Sequence, residues 1–230
     1  MNAEREMQVV AAGRATTYGV LSALFMAAPS KAVADAIRAG GLPGEEASTA
    51  LRAAASELTI AFQEADRPDL ENELAAEHTR LFVLPSGLVP HEAVFVDQNK
   101  RLGGRITEGV RRYYQDAGAE LSQTCLELPD HIGVELEFMH FLCGIEAQLR
   151  ERSDAAGLQK CLKFQNDFLS EHLLRWYRSL CEKVIGESRS AAYRALARLT
   201  IAFLDSERDL VPQLINELES ESRTVCVPET

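Results

Sequence analysis

The chain has 230 residues, enough for one large domain or two small ones with a real core, and its 35 acidic against 24 basic side chains leave a net charge of −11. That balance argues against non-specific nucleic-acid binding, which depends on Lys and Arg neutralising phosphates, and favours cationic partners. At 46% hydrophobic and 26% charged the composition is that of an ordinary globular protein. No run reaches the roughly 20 apolar residues of a membrane span, so no direct membrane insertion is expected. The start, MNAEREMQVV, has charges where a signal peptide would have its apolar region. Five cysteines (Cys125, Cys143, Cys161, Cys181, Cys226) are an odd number without a CxxC pair. Cys143, Cys161 and Cys181 lie inside helical patterns and read as buried thiols of a reducing compartment, and the expected location is cytoplasmic.

In chain order, residues 3–26 predict an amphipathic helix with Val10, Thr17, Leu21, Leu24 and Phe25 on a shared face. Pro29-Ser30 ends it and caps a short helix to about Ala39, closed by Gly40-Gly41. After Pro43-Gly44 a helix is expected over 45–65; Arg67-Pro68-Asp69 marks a break, and another helix follows over 69–82. The pattern then changes. Residues 83–105, VLPSGLVPHEAVFVDQNKRLGGR, read as one long Pro/Gly loop, a candidate hinge or binding segment in which Ala93–Val96 could be briefly extended.

Helix resumes from Ile106 to Ala117, and the most informative stretch follows from Pro129 to Leu149. Asp130 is placed to cap it. Its apolar residues form two ridges, Ile132, Leu136, Met139 and Cys143 beside Phe138, Leu142, Ile145 and Leu149, so it must be covered on more than one side. Yet it carries Asp130, His131, Glu135, Glu137 and His140, which are costly on so apolar a helix unless paired, at an end, or useful. A long helix over 154–184, stopped by Gly186, and a last one over 188–205 complete the reading. Past Asp205 the apolar content thins towards a frayed tail at about 219–230. The expected architecture is all-α: a single helical bundle over residues 1–230, interrupted by the loop at 83–105.

Four chemistries can be weighed. Glu137 and His140 have the Glu-x-x-His spacing of a carboxylate-bundle metalloenzyme, but no second copy exists. No nucleophile motif accompanies Asp130-His131. Gly103-Gly104 precedes a helix without the lysine or spacing of a P-loop. A groove between helices, bordered by a flexible loop with Pro85, Val89, Pro90 and Phe95 and lined by acids, would suit an amphipathic or extended peptide with basic residues. The loop could also be a mere linker in a scaffold protein.

Glu77-x-x-x-Leu81-Phe82 followed by Pro90-x-Glu92-Ala93-Val94, then PDHIGVELEFM at 129–139, then Phe168-Leu-x-x-His172-Leu-x-x-Trp176, and a closing helix from Tyr193 to Asp205 together resemble the TorD/DmsD/NarJ group of redox-enzyme maturation chaperones. His78 and His91 stand where some members have aromatic residues, and Ala93 where some have serine. The resemblance implies an all-helical fold, no catalysis, no metal and no cofactor. It implies as partner the apo catalytic subunit of a molybdenum-containing oxidoreductase and its twin-arginine signal peptide, held in the cytoplasm until the cofactor is inserted. The implied peptide-binding residues are Leu81, Phe82, Pro90, Asp130 and His131, with Glu92 and Glu135 as neighbours. Leu81, Phe82 and Pro90 would take the apolar part of the leader; Asp130 and Glu92 would take its arginines through charge-assisted contacts. His131 either tunes release with pH or simply holds the loop. The hinge-like loop would permit a monomer or a domain-swapped dimer.

Overall fold

The computed structural model describes residues 3–40, 42, 48–63, 69–122 and 124–225. The expected breaks at Gly41, Pro43-Gly44 and Arg67-Pro68, the ends of the third expected helix (45–47, 64–65) and the tail 226–230 lie outside them. The fold is all-α, with ten α-helices among the described residues: α1 (Ala3–Met26), α2 (Lys31–Arg38), α3 (Thr49–Gln63), α4 (Leu70–His78), α5 (Glu92–Val96), α6 (Arg105–Asp116), α7 (Ile132–Glu151), α8 (Ala155–Glu171), α9 (Tyr177–Glu187) and α10 (Ala191–Val225).

The centre is α7. Its ridges are covered as their width demands: α1 lies along one side and α8 along the other, while α10 packs on α3, α8 and α9. Tyr18, Leu21, Phe25, Ile132, Leu136, Met139, Phe168, Trp176 and Leu199 belong to one apolar cluster drawn from α1 through α10. Burying each such side chain contributes roughly 1.5–3 kcal/mol. Contrary to the expectation from the sequence, α1 is long and apolar enough, by length and composition, to cross a membrane (Arg5–Met26). In this fold it is a core helix whose Arg14 is buried.

Arg14 is the hub of a buried charged network that the sequence did not suggest. Its guanidinium donates to Glu207 of α10 (2.8–3.1 Å), to Glu146 of α7 (2.5 Å) and to Gln165 of α8 (2.7 Å). Tyr18 donates to Glu207 at 2.9 Å, and Arg150 to the second oxygen of Glu146 at 2.8 and 3.0 Å. Two arginines and two glutamates cancel, and every guanidinium nitrogen of Arg14 has a partner. This is the arrangement in which buried charge is tolerated. Cys143 and Cys161 lie beside it as free thiols, and burial pushes the Cys161 thiol up to about 11.

Four expectations are corrected. Residues 93–96 are not extended but form the single turn of α5. The helix expected over 154–184 is two: the chain turns at His172 (φ −124°, ψ −90°), makes a 3-10 turn over Leu173–Arg175 and restarts after Trp176 (φ −142°, ψ −22°). The last helix does not end at Asp205 but runs to Val225 through Pro212, because Glu207, Val211 and Leu214 continue its buried face. Finally, α7 is capped by His131 and not by Asp130: His131 Nδ1 accepts from Gly133 N at 3.0 Å.

Candidate functional site

Most residues singled out in the sequence meet in one joint, where segment 88–97 is seated against the start of α7 and the break between α8 and α9. The seam is an isolated antiparallel bridge between His91 and His131. Glu92 N donates to Asp130 O at 2.8 Å, and Ile132 N donates to Pro90 O at 2.9 Å. Pro90 has no amide to offer and serves here as an acceptor. Asp130 reaches across: its Oδ2 accepts from Ala93 N at 3.2 Å, satisfying a free amide in the first turn of α5.

The segment is therefore not a free loop. Pro90, His91, Glu92 and Ala93 are buried, and Glu92, Asp130 and Glu135 have no exposed surface at all. Glu92 Oε2 lies 2.7 Å from His172 Nδ1, with the Arg175 guanidinium 3.8 Å from its other oxygen. Trp176 Nε1 donates to Glu135 Oε2 at 3.2 Å. The kink that splits α8 from α9 is thus the point at which His172 and Trp176 turn inward to meet these two glutamates.

Electrostatics divides the joint's acids. Burial alone would raise Asp130, but the His91 imidazole, the Ala93 amide and the Thr107 hydroxyl outweigh it and hold the carboxyl below its ordinary value. Glu135 is pushed well above the carboxylate range by burial first, then by Glu92 and Asp130, against the opposing bond from Trp176. His131 is lowered to about 3 by burial and by the facing His91. A neutral imidazole is what its cap requires, since a protonated Nδ1 cannot accept from Gly133. The cap bond to Gly133 N fits the holding role of His131.

Leu81 and Phe82 lie on a neighbouring feature. Residues Thr79–Val83 form a π-helical turn, closed by Leu84 N donating to Thr79 O at 2.9 Å. Leu81 is fully buried, and Phe82 packs edge-on to Phe25, His78 and Tyr193. Glu77 anchors the turn: Arg80, the Arg189 amide and the Ser188 hydroxyl donate to it, and they hold its carboxyl down at about 2. The apolar groups that face outward are instead Val83 (64% exposed), Leu84 (46%) and Val89 (41%), on the stretch that links the π turn to the joint. The sequence reading named Val89 at the border of the groove but not Val83 or Leu84, because only the wider π turn decides which residues of TRLFVL point in.

That linking stretch closes on Gly87: Leu88 N donates to Leu81 O at 2.6 Å, and a Cβ on Gly87 would stand 2.5 Å from Leu81 O and 2.6 Å from Arg80 O. Gly87→Ala is expected to cost about 1–3 kcal/mol, read as a lower urea midpoint at unchanged m-value. An unchanged midpoint would mean that the stretch can shift freely.

The metalloenzyme alternative does not assemble. Glu137 is exposed, and His140 Nδ1 is bonded to Ala15 O at 2.8 Å. Among the described residues no group of three or more His, Cys, Asp or Glu could hold a metal ion.

The nitrate reductase delta subunit family matches residues 44–182. The chain is 32% identical over 154 residues to the chaperone protein TorD of Vibrio cholerae serotype O1, covering 66% of this chain and 68% of the relative. It is 32% identical over 155 residues to the selenate reductase assembly chaperone protein of Thauera selenatis (64% and 77%). It is 36% identical over 106 residues to the chlorate reductase assembly chaperone protein of Ideonella dechloratans (45% and 53%). The matched region runs from before α3 into α9 and contains the π turn, segment 88–97, the start of α7 and the His172 break. The chain therefore belongs to the nitrate reductase delta subunit family, which includes the TorD-type chaperones.

Proposed function

We propose that this chain is a non-catalytic, system-specific maturation chaperone. It binds the apo catalytic subunit of a molybdenum-containing oxidoreductase in the cytoplasm, assists cofactor insertion and delays export or assembly until the subunit is mature. The observation that carries this reading is the likeness to proteins named as reductase assembly chaperones. The residues fit it in a particular way. Val83, Leu84 and Val89 offer an apolar rim to the hydrophobic part of a signal peptide, next to the aromatic cluster of Phe82. The paired arginines of the leader go to Glu92, Asp130 and Glu135, which are covered in the free chain. A client that reaches them unseats segment 88–97, so engagement includes an opening step. The chain works as one domain, as a monomer or as a swapped dimer that exchanges this segment.

The test is calorimetry with a synthetic twin-arginine leader peptide taken from the reductase encoded beside this chain. Leu84→Glu combined with Val89→Glu removes two apolar contacts worth roughly 1.5–3 kcal/mol each when fully buried, and is expected to weaken binding at least tenfold with the far-UV spectrum unchanged. Unchanged affinity would remove the rim from the site. Failure of the wild-type chain to bind the leader or to retain the catalytic subunit on co-expression would end the chaperone reading.

A further inference from the structure

The joint contains an imbalance that client binding does not explain. Three carboxyls from different parts of the chain share one water-excluded seam. Asp130 Oδ1, Glu92 Oε1, Glu135 Oε1, the Thr107 hydroxyl and His91 Nδ1 are all buried there without a hydrogen-bond partner among the described residues. His91 Nδ1 stands 3.6 Å from Asp130 Oδ1, too far for a hydrogen bond. Groups left in this state are held in place by the surrounding packing and favour any rearrangement that reaches water. The bonds that seat the segment are two backbone bonds across the His91–His131 bridge, one from Ala93 N to Asp130 and the side-chain bond between Glu92 and His172.

We propose that this joint is a proton-operated latch: with Glu135 neutral, segment 88–97 stays seated on α7, and ionisation of Glu135 beside Glu92 and Asp130 releases it. The other charged or titratable groups facing the seam are His91 and Glu92 from the segment, Tyr114 from α6, Glu127 from the connection before α7 (3.7 Å from His91 Nε2), Asp130 and His131 from the start of α7, and His172 and Arg175 from the α8–α9 break. His131 stays neutral and takes no part above about pH 4. Tyr114 is held protonated by burial and the three carboxyls. The sign follows from linkage. The seated form binds the Glu135 proton more tightly than the open form, in which the carboxyl has its ordinary value. Seating is therefore complete below that ordinary value and is lost as pH rises towards the raised one, by up to tenfold in the opening equilibrium per pH unit for one proton. Asp130 acts in the opposite sense: its lowered value means that its contribution is present above the ordinary aspartate range and lost as pH falls. The latch holds best between the two.

Trp176 is the single tryptophan of the chain, is 1% exposed, and bonds Glu135 directly, so the chain carries its own reporter. Tryptophan emission of the free chain should titrate with an apparent midpoint well above the carboxylate range. In the same interval, hydrogen-exchange protection factors of Glu92 and Ile132, which divide out the intrinsic rate, should fall with rising pH while those of α9 hold. Glu135→Gln keeps an acceptor for Trp176 and cannot ionise; it should abolish the emission titration and flatten the pH dependence of both amides. A slope that persists in Glu135→Gln assigns the effect to another group and overturns the proposal. Loss of protection in step throughout α9 would mean global unfolding and overturn it equally. A pH-independent wild type would do the same. None of these measurements uses a client, so the latch can fail while the chaperone reading stands, and the reverse.

Discussion

Arg14→Ala is expected to lower the stability of the chain by about 3–5 kcal/mol, the usual consequence of removing one partner from a buried ion pair. The variant leaves Glu146 and Glu207 without their shared cation in a place where neither has exposed surface. Arg150 still neutralises Glu146, but Glu207 retains only the Tyr18 hydroxyl. For a chain of this size the loss corresponds to a fall in Tm of roughly 10 °C. Urea unfolding of Arg14→Ala beside the double variant Arg14→Met, Glu207→Gln separates charge from packing: the double variant, which removes both charges, is expected to recover much of the loss. A single variant within 1 kcal/mol of the parent would show that the guanidinium is replaceable by solvent, contrary to its 4% exposure.

Asp130→Ala is expected to separate binding from folding. The helix it precedes is capped by His131, so helical content should not change. What is lost is the acceptor for Ala93 N, at a cost of about 1–3 kcal/mol for an unsatisfied buried amide. A negative charge beside Glu135 goes with it, so Glu135 should ionise at lower pH. Under the proposed function the leader also loses an arginine partner, and calorimetry should show affinity reduced more than tenfold at unchanged far-UV signal. The acid-side loosening of the segment should vanish with the carboxyl, because a depressed carboxylate stabilises above its ordinary pKa and fails below it. Unchanged affinity in this variant would take Asp130 out of the binding site.

What was legible in the sequence was the part governed by local pattern. The extents of α1, α2, α6 and α7 follow from apolar spacing and caps, and the two ridges on α7 foretold that it would be covered twice. What was not legible depends on partners distant in the chain. Nothing in the periodicity of 154–184 marks His172, because the kink is made by Glu92 and Glu135 drawing His172 and Trp176 inward. Pro212 reads as a stop, yet α10 continues, held by Glu207 and Val211 against the core. The Arg14 network joins residues 193 positions apart. Its only trace was an arginine one turn from Tyr18 on an apolar helix, and Glu146 between Leu142 and Leu149. The same limit applies to the joint. The family motifs brought Pro90, Glu92, Asp130, His131 and Glu135 together correctly, but they could not reveal that the acids are covered or that Val83, Leu84 and Val89 are what faces outward.

The pairing of α1 with α7 also sets an order of events during synthesis. α1 is made well before its cover, since the helix that shields it spans residues 132–151. At ribosomal speeds of about 5–20 residues per second, α1 waits roughly 6–25 s for its cover. Throughout that delay it has the length and hydropathy of a segment a translocon could accept. The guanidinium near its middle adds roughly 2.5–3.5 kcal/mol to lateral entry into lipid. The same side chain that ties four helices together in the fold thus also opposes entry of the nascent helix into the bilayer.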